Sequence, residues 1–258
     1  MKARPATGRG APARGKPKAT RAKAAPAPRP NRPRFVPPVA RARGARDPER
    51  VREVVARLHD EYVDAETALD HATDWQLLVA TILSAQCTDV RVNMVTPALF
   101  ERYPTPQALA AADTAELEGI IHSTGFFRAK ARSLVGMCAA VVGEHGGELP
   151  REMDALTRLP GVGRKTANVV RGSSWGLPAV IVDTHCSRVS QRLGWTRSED
   201  PVRIEQDVMK LLPEDEWTFT SHSFVLHGRA VCHARKPRCN ACVLGQDLCP
   251  SYAPAAPG

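Results

Sequence analysis

What the chain lacks removes whole classes of protein. No stretch of its 258 residues approaches the roughly 18 consecutive apolar residues of a membrane span, and the N-terminus has no apolar segment of the secretory kind. These two absences predict a soluble, cytoplasmic protein. Strand-like alternation of apolar and polar residues is nearly absent, which leaves helices as the building material. The first 46 residues contain no Asp, Glu or Ser and a single aromatic, Phe35, against nine prolines and 14 Lys/Arg. Such a segment cannot bury enough apolar surface to offset its ordering entropy, so residues 1–46 are expected to form a disordered basic tail that makes loose phosphate contacts. The prolines and the missing serine speak against a transit peptide.

The net charge of +9 therefore resides in the tail. Residues 47–258 hold 22 cations against 27 anions, a net −5. Any affinity of the ordered part for a polyanion must come from local arrangements of cations and backbone amides, because its total charge does not supply it.

What is present is a repeated helix grammar. In "RDPERVREVVARL", Asp47 is an N-cap, Pro48 the first helical residue, and Val51, Val54, Val55 and Leu58 an apolar stripe. Asp74 precedes "WQLLVATILSAQ", Thr88 precedes "DVRVNMVTPALF", Thr105-Pro106 opens a short helix, and Asp113 or Thr114 precedes "AELEGIIHSTG". Further helical segments follow to "TFTSHSFVLHGRAV". The expectation is an all-α fold of about ten helices with short connections.

Two stretches carry chemistry. In "LPGVGRKTANVV", Gly161 and Gly163 flank Val162, with Arg164 and Lys165 next. A nucleotide P-loop needs four residues between its glycines and a preceding strand, so that reading fails. A helix–turn–helix in which both glycines take φ > 0 remains, either as a plain turn or as a hairpin whose free amides face a phosphate backbone. The other stretch, "CHARKPRCNACVLGQDLC", sets Cys232, Cys239, Cys242 and Cys249 in a C-x6-C-x2-C-x6-C pattern. In an intracellular chain this points to metal ligation, and both zinc and a [4Fe–4S] cluster accept four thiolates. His233, Arg235, Lys236 and Arg238 make the same loop a basic patch. Cys87, Cys138 and Cys186 are scattered and read as small buried hydrophobes.

Taken with "LSAQCTDVRVN" and "VDTHCSRV", these stretches resemble endonuclease III, the helix–hairpin–helix DNA glycosylase and abasic-site lyase family of base excision repair. The likeness runs from about Pro48 to Cys249. It implies two helical domains flanking a DNA cleft: a six-helix barrel with the hairpin, roughly 67–177, and a cluster domain from 47–66 plus 178–250, with 251–258 as a tail. By the same resemblance Lys165 is the nucleophile, Asp183 the essential carboxylate, and the four cysteines hold a [4Fe–4S] cluster, with zinc the lesser alternative. Gln86 enters the base stack, Phe126 stands where relatives carry an aliphatic wedge, and Gly161, Val162, Gly163, Arg164, Arg235, Lys236 and Arg238 contact DNA. One departure is visible: the last two cysteines are separated by six residues where the family commonly has five, and Gly245 could let the extra residue bulge.

The implied function is excision of oxidised pyrimidines from damaged double-stranded DNA through a lysine Schiff base and β-elimination. The protein would act as a nucleoid-associated monomer without membrane contact. Two rivals share parts of the pattern. Adenine-mismatch glycosylases lack a lysine at the hairpin position, and a non-catalytic helix–hairpin–helix binder would need neither Lys165 nor Asp183.

Overall fold

Seven of the helices among the described residues begin where a short polar side chain takes up free amides. The computed structural model describes residues 44–253; the basic tail up to residue 43, and residues 254–258, lie outside the described residues. The described residues open on a turn ahead of Asp47, closed by Asp47 N–H on the Gly44 carbonyl at 2.9 Å, and Ala45 in it is buried. Asp47 then caps α1 (Pro48–Glu61) by accepting from the amides of Glu49 and Arg50, and Val51, Val54, Val55 and Leu58 are buried as the stripe requires.

Thr73, not Asp74, caps α2 (Asp74–Leu83). Asp74 is instead the first helical residue, and its carboxylate accepts from Trp75 N and from the Trp175 indole at 3.0 Å. Thr88 caps α3 (Asp89–Arg102), Thr105 caps α4 (Pro106–Ala110), and Asp113 caps α5 (Thr114–Ile121). A 3-10 turn, His122–Thr124, leads to α6 (Phe127–His145); α7 (Met153–Arg158) and α8 (Arg164–Trp175) frame the glycine hairpin. Then come α9 (Thr184–Arg192), α10 (Pro201–Met209), α11 (Trp217–Ala230) and α12 (Gly245–Leu248). The described residues thus hold twelve α-helices and no strand. The short helix expected after Thr105 is α4, and the one-turn α12 lies beyond the segments read from the sequence.

Burial separates these helices into two cores. α2 is buried around nearly its whole circumference, with Leu77, Leu78 and Leu83 fully enclosed, and forms the centre of the first core against α3, α6 and α8. Each such side chain contributes about 1.5–3 kcal/mol. The second core joins α1 to α9, α10 and α11, around Trp195 and Phe224. Between them runs an extended segment, 180–183, whose side chains alternate: Ile181 enters the first core, while Val180 and Val182 enter the second. That period-2 thread ends at Asp183, which is thereby fixed at the junction of both cores.

Candidate active site

The hairpin is anchored from inside. Gly161 has φ +76°, and a Cβ there would lie 2.6 Å from Ser133 Cβ on α6, so this position requires glycine. Gly163 is different from the expectation of a second left-handed glycine: its φ is −94°, and a Cβ there would meet open space. It serves as the N-cap of α8 without a side chain to take up the free amides, which leaves the positive end of that helix facing outward. Val162 is buried, so only its backbone is available to a ligand.

Arg164, expected at a phosphate, has a partner within the protein while its side chain stays 44% exposed. Its guanidinium binds the buried Glu205 of α10 in a two-point fork at 2.5 and 3.0 Å, and Glu205 also accepts from Asn168 Nδ2 at 3.1 Å. The pair ties the hairpin helix to the second core, and the carboxylate raises the Arg164 pKa.

Lys165 and Asp183 line one cavity of about 80 Å3 at the junction of the cores. Lys165 is exposed on the first turn of α8. Asp183 caps α9 through Oδ1, which accepts from His185 N and Cys186 N at 2.7 Å each, so a single carboxylate serves both the helix and the cavity. His222 of α11 lines the same cavity and bonds Ser173 Oγ through Nε2 at 3.1 Å. Burial pushes its pKa down to about 4, with the Asp183 charge acting in the other direction, so the ring is neutral near pH 7. An ion pair between Arg229 of α11 and Asp89 of α3, at 2.8 Å, stands on the cavity wall. Neither His222 nor this pair was legible in the sequence: His222 and Arg229 lie outside the quoted motifs, and Asp89, inside "LSAQCTDVRVN", meets a partner 140 residues away.

Gln86 and Phe126 are both exposed and both left-handed, at φ +54° and +49°. Phe126 shows 66% of its surface to solvent. Lys236, in the basic loop, is the other non-glycine residue at positive φ among the described residues. Strained non-glycine backbone costs about 1–3 kcal/mol per residue and persists where surroundings impose it. Here it coincides with residues expected to touch DNA.

Cys232, Cys239, Cys242 and Cys249 are free thiols lining a second cavity, of about 30 Å3. All four line this one cavity, and among the described residues no group of three His, Cys, Asp or Glu side chains is arranged to hold a single metal ion. Burial pushes the Cys249 thiol up to about 11 and raises Cys242 as well, with the neighbouring cysteines adding to both. Thiolates there need a cationic partner. Arg192 supplies part of one: Nη1 donates to Cys232 Sγ at 3.0 Å and to the His233 carbonyl at 2.8 Å, while Arg188 Nε holds the Cys232 carbonyl. Gly245, at φ +57°, opens α12 between the last two cysteines. Arg235, Lys236 and Arg238 are placed on the loop between the first two, all three exposed. Cys138 and Cys186 are buried as expected; Cys87 is only half-buried, beside Gln86 in an exposed turn.

Two helical cores with a glycine hairpin feeding a lysine into their junction define a helix–hairpin–helix protein, and residues 79–214 match the HhH-GPD superfamily of base excision DNA repair proteins. The chain is 55% identical to endonuclease III of Synechocystis sp. over 204 residues, which cover 79% of this chain and 93% of that protein. It is 43% identical to endonuclease III of Bacillus subtilis, over 73% of this chain and 86% of the relative. A solved trapped endonuclease III–DNA covalent intermediate superposes with a TM-score of 0.74 at 43% identity, covering 80% of this chain and 96% of that one. The chain belongs to the endonuclease III family. Among the described residues no helix is long and apolar enough to cross a membrane.

Proposed function

We propose that this protein is a bifunctional DNA glycosylase and abasic-site lyase that excises oxidised pyrimidines from duplex DNA. The observation that carries the reading is the convergence of Lys165 and Asp183 on one cavity beside the uncapped N-terminus of α8. The Lys165 amine attacks C1′ of a flipped nucleotide, and the base departs with the electrons of the glycosidic bond. Loss of the amine proton and opening of the sugar leave a Schiff base. Removal of a C2′ proton then expels the 3′ phosphate, and water releases the lysine. Asp183 stabilises the positive charge that develops at the sugar. His222, uncharged near pH 7, adds no second cation beside Lys165.

In this reading residues 67–177 and the combined 47–66 and 178–250 segments form the two walls of a DNA cleft. Gln86 and Phe126 enter the stack, and the amides of Gly161 to Gly163 together with Arg235, Lys236 and Arg238 hold phosphates. Arg164 contributes through the backbone and through its anchor on Glu205. The four cysteines around one cavity would hold a [4Fe–4S] cluster, which takes one thiolate per iron, with zinc the lesser alternative. When bound, the cluster cross-links the basic loop to the second core. The protein would act as a cytoplasmic, nucleoid-associated monomer.

The test is reduction with borohydride during reaction on an abasic duplex, which converts a lysine Schiff base to a stable amine. Wild type should be trapped on DNA, whereas Lys165→Ala should give no adduct and no strand scission while binding falls only modestly. Normal glycosylase turnover by Lys165→Ala would overturn the assignment.

A further inference from the structure

The two exposed, left-handed residues Gln86 and Phe126 belong to different turns, 40 residues apart in sequence, yet one buried cation touches both turns. Lys130, on the first turn of α6, has only 5% of its surface exposed. Its Nζ donates to the Leu83 carbonyl at 2.8 Å and to the Thr124 carbonyl at 2.8 Å. Leu83 is the last residue of α2, and the chain from there runs through Ser84 and Ala85 to Gln86. Thr124 ends the 3-10 turn and is followed by Gly125 and Phe126. The Lys130 backbone N–H also closes on the Phe126 carbonyl at 3.1 Å. Both carbonyls lie at helix ends where no further turn supplies an N–H, and both ends carry negative dipole. No carboxylate faces the ammonium among its described bonds; its partners are the two main-chain oxygens.

A buried ammonium is costly unless its donors are engaged, so the nature of the partners matters. A lysine serving only to fill space would be replaced without loss by leucine or methionine. This one uses its charge to pull two helix ends to a common point, from which the two strained residues project. The geometry points to Lys130 as a positioning residue that couples the Gln86 and Phe126 turns, so that both side chains enter the duplex as one rigid pair during base flipping. The inference rests on the proposed function in that it takes Gln86 and Phe126 as the residues that enter the stack.

The chemistry itself does not pass through Lys130, and this gives the test. Lys130→Met keeps the length of the stem and removes the charge. Lys130→Gln keeps two N–H donors on a shorter, neutral head and carries the test if the methionine variant fails to accumulate. Each is compared with wild type on a lesion-containing duplex and on a single-stranded abasic oligonucleotide, where no base must be flipped. The ratio of the two single-turnover rates cancels any difference in folded fraction. We expect that ratio to fall by about tenfold, the scale of loss when a reacting pair is misplaced by under an ångström. A 2-aminopurine beside the lesion should lose its fluorescence rise on binding. In a Gln86→Ala, Phe126→Ala background, the Lys130 substitution should add less than a twofold further loss. An unchanged ratio, or an equal fall on both substrates, overturns the coupling role. If wild type itself were not trapped by borohydride on an abasic duplex, the proposed function would fail instead, and the two failures are separate readouts.

Discussion

Asp183 caps a helix and lines the cavity, and substitutions can separate the cap from the catalytic role proposed for it. Its Oδ1 accepts from His185 N and Cys186 N at 2.7 Å, which makes it the N-cap of α9, while the same carboxylate lines the cavity with Lys165. Replacement by alanine removes the cap, about 1 kcal/mol, and the favourable charge at a helix N-terminus, about 0.3–1 kcal/mol. For a folded part of this size the sum corresponds to a fall in melting temperature of roughly 3–8 °C. Asparagine caps a helix as well as aspartate, so Asp183→Asn loses only the charge contribution and should melt within about 1–4 °C of wild type. Loss of the carboxylate from the cavity should act on a different scale, a rate decrease of about 100- to 10,000-fold in both variants. The assay pairs thermal melts with single-turnover excision at saturating enzyme. The expected pattern is two variants that differ in stability and share a rate defect. If Asp183→Asn kept its rate to within a few-fold, or if rate tracked melting temperature across the pair, Asp183 would be a cap and nothing more.

The remaining expectations address other parts of the molecule. Purified protein should be brown, with iron and acid-labile sulfide near four per chain; Cys239→Ser should lose that colour and weaken DNA binding through the Arg235–Arg238 loop, and full activity with zinc in place of iron would overturn the cluster. His222 titrates near 6.5 when unfolded and at about 4 when folded, so its contribution to stability is complete above pH 6.5 and lost as pH falls to 4. That amounts to about 3 kcal/mol, and acid melts of His222→Gln should show a flatter decline over this window. Truncation to Gly44 leaves the α1 cap in place, so the shortened protein should react at the same single-turnover rate. It should bind intact and damaged duplexes more weakly by a similar factor, and the plot of log affinity against log salt should flatten by about 0.9 for every phosphate the tail no longer neutralises. Equal slopes for both chains would make the tail a solubilising appendage.

Helix starts were legible because a cap is a local event. Asp47, Thr88, Thr105 and Asp113 each satisfy amides two or three residues away, and short polar residues before an apolar stripe announce that. Thr73 was missed for the same local reason: Thr and Asp both suit an N-cap, and only backbone geometry chooses between neighbours. The hairpin and the four-cysteine loop were legible because their residues are close together in sequence, and Lys165 and Asp183 were identified through the family resemblance those motifs carry. The rest depends on contacts between distant segments. The fork from Arg164 to Glu205 removes a guanidinium from the list of free cations, and the alternation of Val180, Ile181 and Val182 between two cores decides where Asp183 stands. Arg192 reaches Cys232 across 40 residues, and Lys130 joins turns that no spacing relates. A sequence states which groups can donate, accept or carry charge. Which of them are already engaged, and which are left for a ligand, is decided only when packing brings their partners within about 3 Å, because hydrogen bonds and close ion pairs form only at that range.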